Sequence, residues 1–295
     1  MNVISCGAAF AALTFPEAFE NPYFELGILI PYSPVLSAKM TSSGKVLLLI
    51  TEGKLANVVA NYLGAHFENL AILSEAPESK LAVFSRRARR VSPLYAIGQV
   101  TAGVSLRALA KLSSSRIKAI CREHALLADF PAGLTVRRLD SVNSDLCRQL
   151  LRELSPDVIA VYGTRILCKG TLAASKAPFI NCHTGITPDY RGQCSAYWAL
   201  VEKRPECVGV TIHLIDEGVD TGPVLYQETA HVSKDDNITT YPFVQMAVAL
   251  PLFARAIQDA LAGALQPKEL ASLSPHRFPP TLAQYLRNGL VNAVW

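Results

Sequence analysis

The sequence predicts an α/β fold, a Rossmann-like and mostly parallel sheet with helices on both faces. Three observations lead to it. Short apolar runs, "KVLLLI", "LAILS", "PDVIAVYGT" and "APFINCH", recur without a polar residue at every second position, as in strands buried on both faces. Segments with helical spacing lie between them, and parallel strands need such crossovers. Glycines and prolines stand at the joints, where chain direction has to change.

Taken in order, "KVLLLI" from Lys45, a turn at Gly53, a helix near Leu55 to Leu63 and then "LAILS" make a first β-α-β unit. "SRRARR" brings Arg86, Arg87, Arg89 and Arg90 together. It reads as a solvated face, with contact to an anion or a membrane surface as the alternative. "PLYAIGQVTAGVSLRALAKL" from Pro93 reads as a helix interrupted by Gln99, Arg107 and Lys111. A bilayer span needs about 18 uninterrupted apolar residues, so this helix is expected to pack rather than to meet a membrane.

"LTVRRLDSVNS" supplies a short strand, "SDLCRQLLREL" a helix, and "PDVIAVYGT" a strand opening after Pro156. "APFINCH" and "VGVTIHLI" are the next strands, the second alternating as a less buried or antiparallel member would. Helical spacing returns from about Thr239 to Leu261 and stops at Gly263 and Pro267. The tail holds helix formers around Leu282 to Leu290.

This divides the chain into residues 1–39, 40–266 and 267–295. The opening "MNVISCGAAFAALTF" is like a signal core but lacks the preceding Lys or Arg. Pro16, Pro22, Pro31 and Pro34 follow, and then Met40 begins "TSSGKVLLLITEG". Residues 1–39 are therefore expected to be a poorly ordered extension or a misassigned start, 40–266 the main domain, and 267–295 a tail with a short helix.

Among 295 residues the formal net charge is +4, which suits an anionic small molecule and falls short of a nucleic-acid-binding balance. Seven cysteines form an odd set without a C-x-x-C pair. They read as reduced thiols of a cytoplasmic protein, with no metal expected. Neither G-x-G-x-x-G nor a phosphate-binding G-x-x-x-x-G-K-[ST] loop occurs, so those nucleotide-binding mechanisms lack their residues.

Polar groups concentrate in "NCHTGITPDYRG", residues 181 to 192, at the end of a predicted strand, where open α/β sheets bind ligands. Asn181 and His183 are two apart, so on a strand they share a face. An amide can donate to a developing oxyanion, and an imidazole can carry protons near neutrality. Acyl transfer to an amine uses both. Downstream, "GVTIHLIDEGVDTGPVLYQ" places Asp216, Glu217 and Asp220 in a glycine-bearing loop between two strand-like runs. A carboxylate brought from there to His183 would raise its basicity. Arg191 and Gly192 either shape their loop or meet an acceptor, and His213 reads as structural.

"FINCHTGITPDYRG", "YWAL" and "GVTIHLIDEGVDTGPVL" together resemble the folate-dependent formyltransferase family. The likeness is strongest from Pro156 to about Gln227 and rests on N-x-H, P-x-Y-R-G, T-x-H and D-x-G-P in this spacing. The resemblance implies the formyltransferase fold and transfer of a formyl group from 10-formyltetrahydrofolate to a primary amine of a small acceptor, with no metal. It implies that Asn181 stabilises the oxyanion, His183 acts as acid and base, and Asp220 polarises His183 or a water. For the pterin pocket it implies "TRIL" and "IDEGVD", hence Arg165, Ile166, Leu167, Ile215, Glu217, Gly218 and Val219.

Three departures matter. "NCHTGITP" replaces the family's "NIHPSLLP" type of run, which alters the loop beside His183. "SRRARR" with the helix after it reads as an insertion. No C-terminal β-barrel like that of the methionyl-tRNA enzymes is expected, so the acceptor expected first is a nucleotide-linked amino sugar or an amino-acid-derived amine. Neither a nucleic acid nor a membrane is expected as partner, and a homo-oligomer is left open. Hydrolysis of 10-formyltetrahydrofolate and non-catalytic folate binding are the competing readings.

Overall fold

Residues Val46 to Ile50 carry no polar side chain because the strand they form is covered on both sides. Val46, Leu48 and Ile50 enter one core, and Leu47 and Leu49 enter another on the opposite face of the sheet. A computed structural model describes residues 43–295, apart from 91, 132 and 271 and the side chains at 80, 86, 87 and 90. The expectation for residues 1–39 lies outside the described residues.

The elements run β1 (Val46–Thr51), α1 (Lys54–His66), β2 (Leu70–Glu75), α2 (Lys80–Arg90), α3 (Pro93–Leu112), α4 (Ser114–Glu123), β3 (Val136–Leu139), α5 (Asp145–Leu154) and β4 (Val158–Tyr162). They continue α6 (Lys169–Leu172), β5 (Phe179–His183), α7 (Ser195–Val201), a 3₁₀ turn at Pro205–Cys207, β6 (Gly209–Leu214), β7 (Val224–Thr229), α8 (Tyr241–Leu261) and α9 (Leu282–Asn292).

The sheet order is β3-β2-β1-β4-β5-β6-β7. Pairing is parallel from β3 through β5 and antiparallel for β5 with β6 and β6 with β7. The strand order reverses between β1 and β4, and the carboxyl ends of β4 and β5 open beside that switch point. One core joins the sheet to α1, α4 and α8; the other joins it to α5.

Helix starts follow local chemistry. Ser92 accepts from Tyr95 N at 3.1 Å with Pro93 as first helical residue of α3. Ser144 accepts from Cys147 N at 3.2 Å to open α5, and Thr281 with Gln284 forms a capping box on α9. The segment expected only as a basic run is the helix α2, packed on α3.

α3 departs from its expected packing. Its inward face carries Ala96, Gln99 and Ala102, whereas Leu94, Ile97, Val100, Val104 and Leu112 are exposed. The tail after Pro267 also does more than end in a helix. Pro279 O accepts from Gln99 Nε2 at 2.8 Å, and Phe278 O accepts from Trp198 Nε1 at 2.9 Å, so the tail is tied to α3 and α7.

Candidate active site

β5 and β6 run antiparallel, and their register sets Asn181 opposite His213 and His183 opposite Thr211. Each pair member is two residues from the next, so all four side chains share one face at the carboxyl end of β5.

Carbonyl oxygens can only accept, which assigns the ring protons. His183 donates Nε2–H to Tyr190 O at 2.9 Å, and His213 donates Nδ1–H to Leu214 O at 2.7 Å. In neutral His213, Nε2 then accepts from Asn181 Nδ2 at 3.0 Å. One amide hydrogen of Asn181 is thereby fixed in direction.

Asp220 enters from the loop between β6 and β7. Its Oδ2 stands 3.6 Å from His183 Nδ1 and its Oδ1 3.6 Å from His213 Nε2, while Oδ2 accepts from Gly192 N at 2.9 Å. The two imidazole separations are ion-pair distances, too long for hydrogen bonds. Burial works to raise the Asp220 pKa, but the facing imidazoles and the Gly192 amide outweigh it and hold the carboxyl well below the usual range. Asp220 sits at φ +50°, a left-handed conformation that Asp tolerates better than bulkier residues.

The loop after His183 is held by groups the sequence reading did not single out. Thr211 Oγ1 donates to Gly185 O at 2.7 Å and accepts from Thr187 N at 3.1 Å. Gly185 is required there, since a Cβ would come within 2.5 Å of His183 Nε2, Ser195 Oγ and Tyr190 O. Gly192 lies at φ +95°, and a Cβ would stand 2.3 Å from Arg277 O.

Arg191 donates Nε to Val219 O and Nη1 to Ser274 O, each at 2.9 Å. It thus joins the acidic loop to the tail. Arg277 reinforces the same seam through its backbone to Arg191 and Gln193, its guanidinium on Glu202, and its position over the Tyr190 ring at 4.6 Å.

Of the pocket residues expected from the resemblance, Arg165 gives its backbone N to buried Glu75 Oε1 at 2.6 Å and its Nη2 to Ala76 O at 2.6 Å. Ile166 is exposed, and its carbonyl accepts from Asn143 Nδ2 at 2.9 Å. The side chain of Leu167 is buried in the core beside α5, so a ligand could meet only its backbone, whereas Ile215 packs against that core and stays partly exposed. Glu217 pairs with Lys169 at 2.7 Å, Gly218 N donates to Asp216 Oδ1 at 2.9 Å, and Val219 gives its carbonyl to Arg191. The segments after β4 and β6 therefore meet through the Lys169–Glu217 pair.

His213, read from the sequence as structural, is buried and bonded to Asn181 and to Leu214 O, so it holds the Asn181 amide in place. The usable signal was T-x-H following N-x-H, because antiparallel pairing of the two puts both motifs on one face. Cys182 lies between Asn181 and His183 but is buried, which pushes its thiol up to about 12; it keeps its proton at neutral pH and is no nucleophile. Among the described residues no group of three or more His, Cys, Asp or Glu is placed to hold a metal ion.

Residues 110–243 match the family model described as "Formyl transferase". A methionyl-tRNA formyltransferase of Thermodesulfovibrio yellowstonii is 33% identical over 138 residues, 46% of this chain and 44% of the relative. That of Anaeromyxobacter dehalogenans is 34% identical over 168 residues, 55% and 51% of the two chains. The chain spans about half the length of these curated relatives.

Among solved structures, a Mycobacterium tuberculosis protein described as a "likely sugar N-formyltransferase" superposes with TM-score 0.51 at 16% identity, covering 83% of this chain and 85% of the other. A 4-N formyltransferase of Francisella tularensis gives 0.50 at 16%, covering 82% and 78%. At such identity these two report a shared fold.

Proposed function

We propose that this protein, whose residues 110–243 match the formyl transferase family model, is an N-formyltransferase that moves a formyl group from 10-formyltetrahydrofolate to a primary amine of a small acceptor. The observation that carries the reading is the convergence of Asn181, His183 and Asp220, from the carboxyl end of β5 and the loop between β6 and β7, on a single face.

In this reading the acceptor amine attacks the formyl carbon, the carbonyl electron pair moves to oxygen, and the bond to the donor nitrogen then breaks. Asn181 holds one N–H on His213 and offers the second to the developing oxyanion. His183 has Nε2–H committed to Tyr190 O, so Nδ1 takes the proton lost by the amine. Asp220, kept ionised, faces that atom and stabilises the imidazolium. The same proton is returned to the leaving nitrogen.

The loops carrying Arg165, Ile166, Leu167, Ile215, Glu217, Gly218 and Val219 would hold the folate, chiefly through backbone groups. The acceptors proposed first are nucleotide-linked amino sugars and amino-acid-derived amines. Release of tetrahydrofolate from 10-formyltetrahydrofolate, followed by absorbance across a panel of such amines, tests the reading. Amine-dependent release supports transfer, whereas formate release at an amine-independent rate would point to hydrolysis instead.

A further inference from the structure

α3 is built with its large apolar residues outward. Leu94 is 80% exposed, Ile97 52%, Val104 61% and Leu112 80%, while the buried face carries Ala96, Gln99 and Ala102. At 100° per residue, Leu94, Ile97, Val100, Val104 and Leu112 form one stripe along the whole helix. A helix that packed only against its own domain would place them the other way round.

The neighbouring helices extend the pattern. α9, which packs on α3, exposes Leu286, Leu290 and Val291, and α2, which also packs on α3, exposes Leu81. The sequences of α2, α3 and α9 contain no Asp or Glu. They do contain Lys80, Arg86, Arg87, Arg89, Arg90, Arg107, Lys111 and Arg287, of which Arg89, Arg107, Lys111 and Arg287 are exposed.

We propose that α2, α3 and α9 form a surface that docks on an anionic lipid membrane, with the α3 stripe entering the headgroup region and the cations meeting the lipid phosphates. An outward apolar stripe on acid-free helices that also carry exposed cations is the pattern of helices lying in a bilayer interface. Charge decides against a second copy of the chain, since an isologous interface would set two acid-free, cationic surfaces against each other. The stripe decides against nucleic acid, whose phosphates offer leucine and isoleucine nothing to bury against. The docking is peripheral: no helix among the described residues is long and apolar enough to cross a membrane.

Sedimentation of the full chain with phosphatidylcholine vesicles, with and without about one third phosphatidylglycerol, tests this independently of any formyl chemistry. The expected result is binding to the anionic vesicles only, weakened as ionic strength rises and screening shortens to about 3 Å at 1 M salt. Ile97→Gln/Val104→Gln and Arg107→Glu/Lys111→Glu should each lower the partition coefficient about tenfold or more, with unchanged melting temperatures because the altered side chains are exposed. Equal sedimentation of wild type and both variants would overturn the proposal. So would absence of binding to either vesicle, or light scattering showing a dimer that the Ile97→Gln/Val104→Gln variant dissociates.

Discussion

Asp220 concentrates the energetics of the site in one side chain. Two imidazoles and the Gly192 amide hold its carboxyl below the ordinary value of 3.8 despite burial. A carboxyl depressed by folding contributes stability that is fully present above its unfolded pKa and is lost as pH falls through the folded one. Urea unfolding of wild type and Asp220→Asn should therefore give a stability difference that shrinks as the solution is acidified below about pH 4. A difference that persisted unchanged to about pH 2 would contradict the assigned ionisation. Gly192→Ala has a separate cause of damage, φ +95° and a 2.3 Å approach to Arg277 O. It should cost more than about 2 kcal/mol, seen as a fall in melting temperature of several degrees, and displace the amide that Asp220 accepts. His183→Ala should lower kcat/KM roughly 100-fold or more by removing the proton acceptor.

At the scale of elements, the loop after β4 is fixed by two side chains from neighbouring strand ends. Glu75, 1% exposed at the end of β2, accepts from Arg165 N, Val142 N and Thr51 Oγ1. Asn143 holds Ile166 O and Cys168 N. If that loop receives the formyl donor, Asn143→Ala should raise the KM for 10-formyltetrahydrofolate several-fold while leaving the acceptor KM and kcat much less changed. Equal changes in both KM values would argue that the loop has no donor-specific role. Removing the α9 cap with Thr281→Ala should cost about 1 kcal/mol, measurable by urea titration, because the bond that Thr281 Oγ1 accepts from Gln284 N is lost while the backbone bond from residue 281 to Gln284 Oε1 can remain.

For the whole molecule, the parallel half of the sheet was legible because strands buried on both faces leave unbroken apolar runs, as Val46 to Ile50 and Val158 to Val161 do. The catalytic reading of Asn181 and His183 was legible for a different reason, the two-residue period of a strand. What the sequence left hidden depended on partners distant in the chain. His213 could be placed only once the β5–β6 register set it opposite Asn181. α2 carries too few apolar positions to show a helical period, and α3 shows one without saying which face is inside. The tail reads as sparse because its ties at Ser274, Phe278 and Pro279 run through backbone carbonyls, which any side chain could accompany, and the side-chain tie of Arg277 is to Glu202, distant in the chain.

Tetrahydrofolate release by wild type and by folded Asp220→Ala on the same amine panel tests whether Asn181, His183 and Asp220 together transfer a formyl group. Amine-dependent release by the wild type, reduced at least about 100-fold in the variant, is the predicted result. Equal turnover by the two proteins, or failure of the wild type to bind folate at all, would rule out formyl transfer by these residues.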